Sequence, residues 1–176
     1  RGLALSAPLG FNNTYAIGMP GVLATALDIT RLSDLAAHPE LRLAFSTEFM
    51  NRGDGWPGLQ KRYNLPQEAR GIEHALAYAA LRAQTIDVTD LYSTDAQITA
   101  MDLQLLEDDL SYFPRYDAVL LYRVDLGAKA PAVLTSMLRM EDAIDARTMQ
   151  QLNQAAELGT DDAQRLAPKD VASAAI

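Results

Sequence analysis

Cysteine is absent from all 176 residues, which excludes disulfide cross-links, thiolate nucleophiles and thiolate metal ligands. Histidine is scarce. His38 and His74 are the only two; they fall in different segments, neither has a carboxylate at metal-ligand spacing, and no metal site is expected. Basic charge is also short, with 15 Lys+Arg against 23 Asp+Glu for a net charge of -8 and no basic run longer than Lys61-Arg62. A partner gripped by its phosphates needs concentrated cations, so nucleic acid is not an expected partner. No stretch reaches the roughly 20 consecutive apolar residues of a membrane-spanning helix. Neither a Gly-rich phosphate loop nor a Gly-x-Ser-x-Gly turn occurs, so no nucleotide, no cofactor and no nucleophile elbow is expected.

What is present suits a folded domain. With 49% hydrophobic and 22% charged residues, a chain of this length buries about 70% of its unfolded surface, enough for a real core. Apolar runs at 3–9 and 15–19 read as strands around a turn at Gly10-Phe11-Asn12-Asn13-Thr14. Pro20 suits the first turn of a helix to about Leu27, and Ser33 caps a short helix ending at His38-Pro39. Residues 41–45 form a strand, 51–55 a loop, and 56–63 a helix with Pro57 in its first turn and Leu59 and Tyr63 on its inner face.

Residues 73–84 carry a helical stripe of Leu76, Ala77, Ala80 and Leu81, and 86–92 alternate as a strand. Thr94 then caps a helix over 95–101, 103–106 is a strand, and the apolar run 118–122 has the character of a buried strand. The tail reads as helical. Val133, Met137, Met140 and Ile144 share one stripe over 131–144, Asp145 caps a second helix with Met149 and Leu152, and a third follows Thr160. Alternating elements followed by helices predict an α/β lobe with a helical appendage, whose apolar stripes lack strands to cover.

Four ordered motifs go further: Gly10-Phe11-Asn12-Asn13-Thr14-Tyr15-Ala16, Arg52-Gly53-Asp54-Gly55-Trp56-Pro57-Gly58-Leu59, Asp87-Val88-Thr89-Asp90-Leu91-Tyr92-Ser93-Thr94-Asp95, and Leu106-Glu107-Asp108-Asp109 with Tyr112-Phe113-Pro114-Arg115-Tyr116-Asp117-Ala118-Val119. Together they resemble the glycine betaine, carnitine and choline binding proteins of osmoprotectant ABC transporters, from about Leu9 to Arg123 and more weakly through the tail. The resemblance implies a type II periplasmic-binding-protein-like clamshell with one lobe inserted in the other and the ligand between them. It places a crossover strand at 1–10, the inserted ligand-binding lobe at 11–116, and the return strand and C-terminal helices of an incomplete first lobe at 117–176. The family's N-terminal half-lobe has no counterpart here, so a fragment is expected. It should bind ligand weakly by itself, and a second copy can pair with the incomplete lobe to give a homodimer.

A quaternary ammonium has no N–H to donate and a diffuse charge, so aromatic faces rather than hydrogen bonds select it. Motif by motif, the resemblance makes Tyr15, Tyr92 and Tyr116 the cage, Arg52 the clamp for a ligand carboxylate, and Asn13 and Thr94 polar supports. Tyr63 and Tyr78 read as core residues on helix faces, Tyr122 as strand core, and Tyr112 and Trp56 as packing. The implied partners are the quaternary ammonium compound and a transporter permease, the implied location is periplasmic or extracytoplasmic, and no enzymatic activity is expected.

Two rivals stand beside this reading. One is a sensing or assembly lobe without a transport role, and the other is a small hydrolase using Glu107-Asp108-Asp109, which otherwise reads as a solvated turn. Asp87, Asp90 and Asp95 can lend negative potential to the cleft mouth, although a helix cap is the sounder reading for Asp95. Arg52-Gly53-Asp54 and Asn12-Asn13-Thr14 spell an adhesion tripeptide and a glycosylation acceptor; patterns this short recur by chance.

Overall fold

The structure, a computed structural model, describes residues 2–157. Its chain divides into two compact units: Thr14–Pro114, and the chain up to Asn13 together with the chain from Arg115. Among the described residues no helix is long and apolar enough to cross a membrane.

In the Thr14–Pro114 unit, β2 (Tyr15–Pro20) lies between β5 (Thr89–Tyr92) and β6 (Leu103–Leu105), antiparallel to both. Strand β3 (Leu43–Ser46) runs parallel to β4 (Ala69–Ile72) and is tied to the β5 side by a parallel bridge from Leu43 to Val88. The order is therefore β4-β3-β5-β2-β6, with β3, β4 and β5 pointing the same way. Side chains alternate across this sheet. Leu43 and Phe45 enter one core with Tyr15, Ile17, Met19, Phe49, Trp56 and Leu59, while Ala44 enters a second with Tyr78, Leu81, Leu91 and Ile98.

Five helices cover the sheet: α1 (Gly21–Leu27), α2 (Thr47–Asn51), α3 (Trp56–Tyr63), α4 (His74–Arg82) and α5 (Ala96–Ala100). Each stop and start has a local cause. Asp28 and Asn64 end α1 and α3 in the left-handed region, and the Ser46 hydroxyl accepts the Phe49 amide at 3.1 Å to cap α2. At Gly55 a Cβ would collide with the Phe49 carbonyl, so only glycine lets the chain pass from α2 into α3.

Two expectations need correction here. Thr94 is not the cap of α5: Asp95 takes that position, and its carboxylate accepts the Tyr92 amide at 2.9 Å instead of an α5 amide. Within the expected 73–84 stripe, Leu76 is 56% exposed and Tyr78 is buried in its place. Segments 47–50 and 69–72, without an assignment in the sequence, fall in α2 and β4, too short for either period to register.

The other unit is built on a ribbon of β1 (Leu3–Asn12) and β7 (Asp117–Arg123), antiparallel from Leu3 opposite Arg123 to Asn12 opposite Asp117. Strand β1 runs through the turn expected at Gly10, whose φ of +114° brings its Cα against the Ile144 carbonyl, where a Cβ would sit 2.7 Å from the oxygen. The run 118–122 is not a buried strand. Val119 and Leu121 are exposed, Leu121 opposite the equally exposed Leu5, and Tyr122 is only half-buried.

Helices α6 (Leu126–Lys129), α7 (Pro131–Leu138) and α8 (Ala146–Glu157) follow. The single stripe expected over 131–144 breaks at Leu138 because the chain turns to hydrogen-bond β1, Asp142 and Ile144 donating to the carbonyls of Pro8 and Leu9 at 3.0 Å each. Asp145 caps α8 as expected, accepting the Thr148 amide at 2.7 Å. The helix expected after Thr160 lies outside the described residues.

Candidate functional site

The antiparallel register sets Tyr15, the first residue of β2, directly opposite Tyr92, the last of β5. Their ring centroids are 5.0 Å apart with planes inclined by 32°, and their hydroxyls approach to 3.4 Å. Tyr15 is buried and Tyr92 half-buried. Burial, then the hydrogen bond to Tyr92, pushes the Tyr15 phenol well above its ordinary value, so the ring stays neutral.

Arg52, at the end of α2, hangs its guanidinium carbon 5.6 Å from the Tyr15 centroid, within cation-π range. The same guanidinium forks onto Asp54 at 2.8 and 2.9 Å and lies 3.5 Å from Glu48. The structure thus brings Tyr15, Tyr92 and Arg52 together. Thr94 is buried in the same unit. Asn13 and Tyr116 belong to the other unit, where the Asn13 amide donates to the Tyr116 carbonyl at 3.1 Å and Tyr116 is 44% exposed.

Two more rings join the wall without any sequence motif to announce them. Phe49 packs 5.1 Å from Tyr15, and His74 lies 5.4 Å from Tyr92. His74 Nε2 is 3.5 Å from Asp95, whose carboxylate also accepts the Tyr78 hydroxyl at 2.5 Å. The Asp95 bond raises the His74 pKa above the ordinary imidazole value although burial opposes it. Burial pulls Asp95 upward, but its bonds from His74, Tyr78 and the Tyr92 amide outweigh that and hold it below the usual carboxylate range.

The raised imidazole stabilises the fold below pH about 6.5 and loses that contribution as pH rises through its folded value. The depressed carboxylate contributes above about pH 4 and loses its share as pH falls through its own folded value. The pair is therefore fully charged between these limits. An NMR titration of the His74 ring is expected to give a midpoint above about 6.5 that falls in Asp95→Asn; an unchanged midpoint in the variant would remove Asp95 as the cause.

A hollow of about 190 Å³ opens beside this wall, lined by Ser46, Thr47, Glu48, Ile72, Glu73, His74 and Tyr92. Ser46, Ile72 and Tyr92 are the last residues of the parallel strands β3, β4 and β5. A wider hollow of about 400 Å³, with Arg42, Glu68 and Arg70 in its wall, sits at the opposite ends of β3 and β4. Ligands in open α/β sheets bind outside the carboxyl ends of the strands, which favours the smaller hollow.

The aspartates expected at the cleft mouth separate by role. Asp87 precedes β5 at its far end and is clamped by Arg42 at 2.7 and 2.9 Å. Asp90 is buried beneath Ser46, and Asp95 stands behind His74 and Tyr92. The expected solvated turn at Glu107-Asp108-Asp109 is instead a brace: Asp108 accepts the Tyr63 hydroxyl and the amides of Tyr112 and Phe113 at 2.9 and 2.8 Å, and Asp109 accepts the Ser33 amide at 3.3 Å. Among the described residues no group of three His, Cys, Asp or Glu is arranged to hold a metal ion.

Comparison with known proteins extends this geometry. Residues 1–173 match the family model of the substrate binding domain of ABC-type glycine betaine transport systems. The chain is 34% identical over 153 residues to an ergothioneine transport permease and binding protein of Helicobacter pylori, covering 85% of this chain and 28% of that one. It is 31% identical over 180 residues to a glycine-betaine-binding protein of Pseudomonas aeruginosa, covering 95% of this chain and 58% of that one. A crystal structure described as a glycine betaine/carnitine/choline ABC transporter superposes with a TM-score of 0.87 at 34% identity, covering 98% of this chain and 62% of that one. The chain thus spans less than two thirds of the length of these relatives. With its α/β fold, its paired tyrosines at the strand ends and a match over nearly its whole length, the chain belongs to the family of substrate-binding domains of ABC-type glycine betaine transport systems.

Proposed function

We propose that this chain takes part in capturing a small quaternary ammonium compound, such as glycine betaine or choline, and delivering it to an ABC transporter permease outside the cytoplasm. The observation that carries this reading is the cross-strand pair Tyr15–Tyr92 with the Arg52 guanidinium already at cation-π distance from Tyr15. A neutral aromatic face that holds one diffuse cation suits another. Glycine betaine and ergothioneine, named for two relatives, are both trimethylammonium carboxylates. The Arg52 fork has the shape to receive such a carboxylate in exchange for Asp54.

In this reading the inserted lobe at 11–116 is the ligand-binding lobe, with Tyr116 as a further ring of the cage and Asn13 and Thr94 as polar supports. On the same reading the protein is a carrier; of the acidic cluster Glu107-Asp108-Asp109 that a hydrolase would use, Asp108 and Asp109 are engaged by their own chain.

The test is a two-dimensional amide NMR titration of the full chain with glycine betaine and with choline. Shifts gathered around Tyr15, Arg52, His74 and Tyr92 are expected. A dispersed spectrum unmoved by millimolar concentrations of both would refute capture by this lobe.

A further inference from the structure

The aromatic wall contains one group whose charge changes near neutrality. The His74 ring lies 5.4 Å from the Tyr92 ring, which in turn lies 5.0 Å from that of Tyr15. Histidine is the side chain that gains or loses its charge between about pH 5 and 8. A quaternary ammonium has no proton to lose and keeps its charge throughout, so the state of this imidazole enters the electrostatics of capture.

The groups that face the imidazole are acidic or neutral. Asp95, at the start of α5, lies 3.5 Å from its Nε2, and the Tyr78 hydroxyl on α4 is equally close. Glu48 on α2 and Glu73 ahead of α4 line the hollow beside it, and Asp90 on β5 adds a further negative field. Arg52 is tied to Glu48 at 3.5 Å and stands over Tyr15. With His74 neutral, the carboxylates draw a cation toward the Tyr92 ring. With His74 protonated, the charge of Asp95 is cancelled. The imidazolium, itself within cation-π range of Tyr92, then occupies the ring that a ligand would use.

Resting on the proposed capture of a quaternary ammonium compound, we infer that His74 is a charge-setting residue of the aromatic wall: the site takes its cation when the imidazole is neutral and loses affinity when the imidazole gains a proton. Asp95 is its positioning partner, itself fixed by the Tyr78 hydroxyl at 2.5 Å and the Tyr92 amide at 2.9 Å. The coupling is reciprocal. A bound cation lowers the proton affinity of the imidazole, so binding near its midpoint releases part of a proton from His74 to the buffer. A carrier built in this way loads in neutral surroundings and loads less in acidic ones.

A ligand cation within about 6 Å of the Tyr92 centroid stands about 7 to 10 Å from the imidazole. With an effective dielectric constant between the roughly 20 of a protein surface and the roughly 80 of water, one unit charge there changes affinity about three- to tenfold.

The experiment is a calorimetric and amide NMR titration of the full chain with choline, which carries no carboxylate, at intervals from about pH 5.5 to about pH 8.5. Affinity is expected to rise about three- to tenfold across this range, at the pH where NMR shows the His74 ring titrating. Heats measured there in buffers of unlike ionisation enthalpy are expected to show proton release. In His74→Gln, which keeps a polar side chain beside Asp95 but cannot gain a proton, the profile is expected to be flat. In Asp95→Asn the rise moves to lower pH together with the titration of the ring, a change that general loosening of the fold would not produce. A flat profile in the parent overturns this role of His74 while capture of the cation stands. A rise that survives His74→Gln belongs to another group, such as His38 or the Asp90 carboxyl that burial raises, and overturns the assignment to His74. If choline shifts no amide around Tyr92 at any pH in the range, capture by the rings fails, and this inference with it.

Discussion

Tyr92→Ala is expected to weaken binding of a quaternary ammonium compound about tenfold or more, whereas Tyr92→Phe stays within about threefold of the parent. Alanine removes one desolvated cation-π face, worth about 0.5 to 2 kcal/mol, and also the ring that lies between Tyr15 and His74 at 5.0 and 5.4 Å. Phenylalanine keeps the face and loses only the hydroxyl, 3.4 Å from that of Tyr15. Tyr92 is half-buried at a strand end, so the alanine variant keeps its fold, which far-ultraviolet circular dichroism checks before the titration. Unaltered affinity in Tyr92→Ala would end the aromatic-wall account. Tyr15 is a poorer probe because it is 7% exposed and packed against Phe49, and its loss would damage the core as well.

The largest effect on stability is expected at Asp90. Its side chain, 1% exposed, accepts the Ser46 amide and the Ser46 hydroxyl at 2.6 Å each. The same hydroxyl caps α2 through the Phe49 amide, so one carboxylate fastens β3, β5 and the helix that carries Arg52. Burial raises its pKa although the Ser46 bonds oppose the shift. Asp90→Ala leaves two donors in a dry interior at about 1 to 3 kcal/mol each. We expect about 2 to 4 kcal/mol of destabilisation and a melting temperature lower by roughly 5 to 15 °C. Asp90→Asn retains an acceptor for the amide and is expected to recover at least half of the loss. Thermal unfolding of both variants decides it: an Asp90→Ala protein as stable as the parent would show that Ser46 does not depend on this carboxylate.

Most elements of the Thr14–Pro114 unit are legible in the chain because their signals are local. Alternation places Tyr15, Ile17 and Met19 on one face of β2, and Pro57 with Leu59 and Tyr63 announces α3 before any contact is known. Segments that depend on a neighbour are not legible. Strand β4 exists because β3 offers it a parallel edge, and α2 because Ser46, held by Asp90, can cap five residues that would not form a helix alone. The tail misleads for a related reason: the stripe at Val133, Met137, Met140 and Ile144 has helical spacing, but the carbonyls of Pro8 and Leu9 draw the chain off after Leu138. Likewise 118–122 is apolar enough for a buried strand, and only its pairing with β1 alone in a ribbon leaves Leu121 exposed.

The candidate site divides along the same line. Tyr15, Arg52 and Tyr92 stand in motifs whose family resemblance implies an aromatic cage and a carboxylate clamp, and the sequence by itself determines that expectation, together with the exclusion of thiols and phosphate loops. That Tyr15 and Tyr92 touch, that His74 extends their wall while Asp95 steadies it, and that Glu48 and Glu73 open a hollow beside it, only the tertiary structure decides. Residue identity sets what each side chain can do, but the meeting of groups 77 residues apart depends on strand order and register, which hydrogen bonds between distant segments establish.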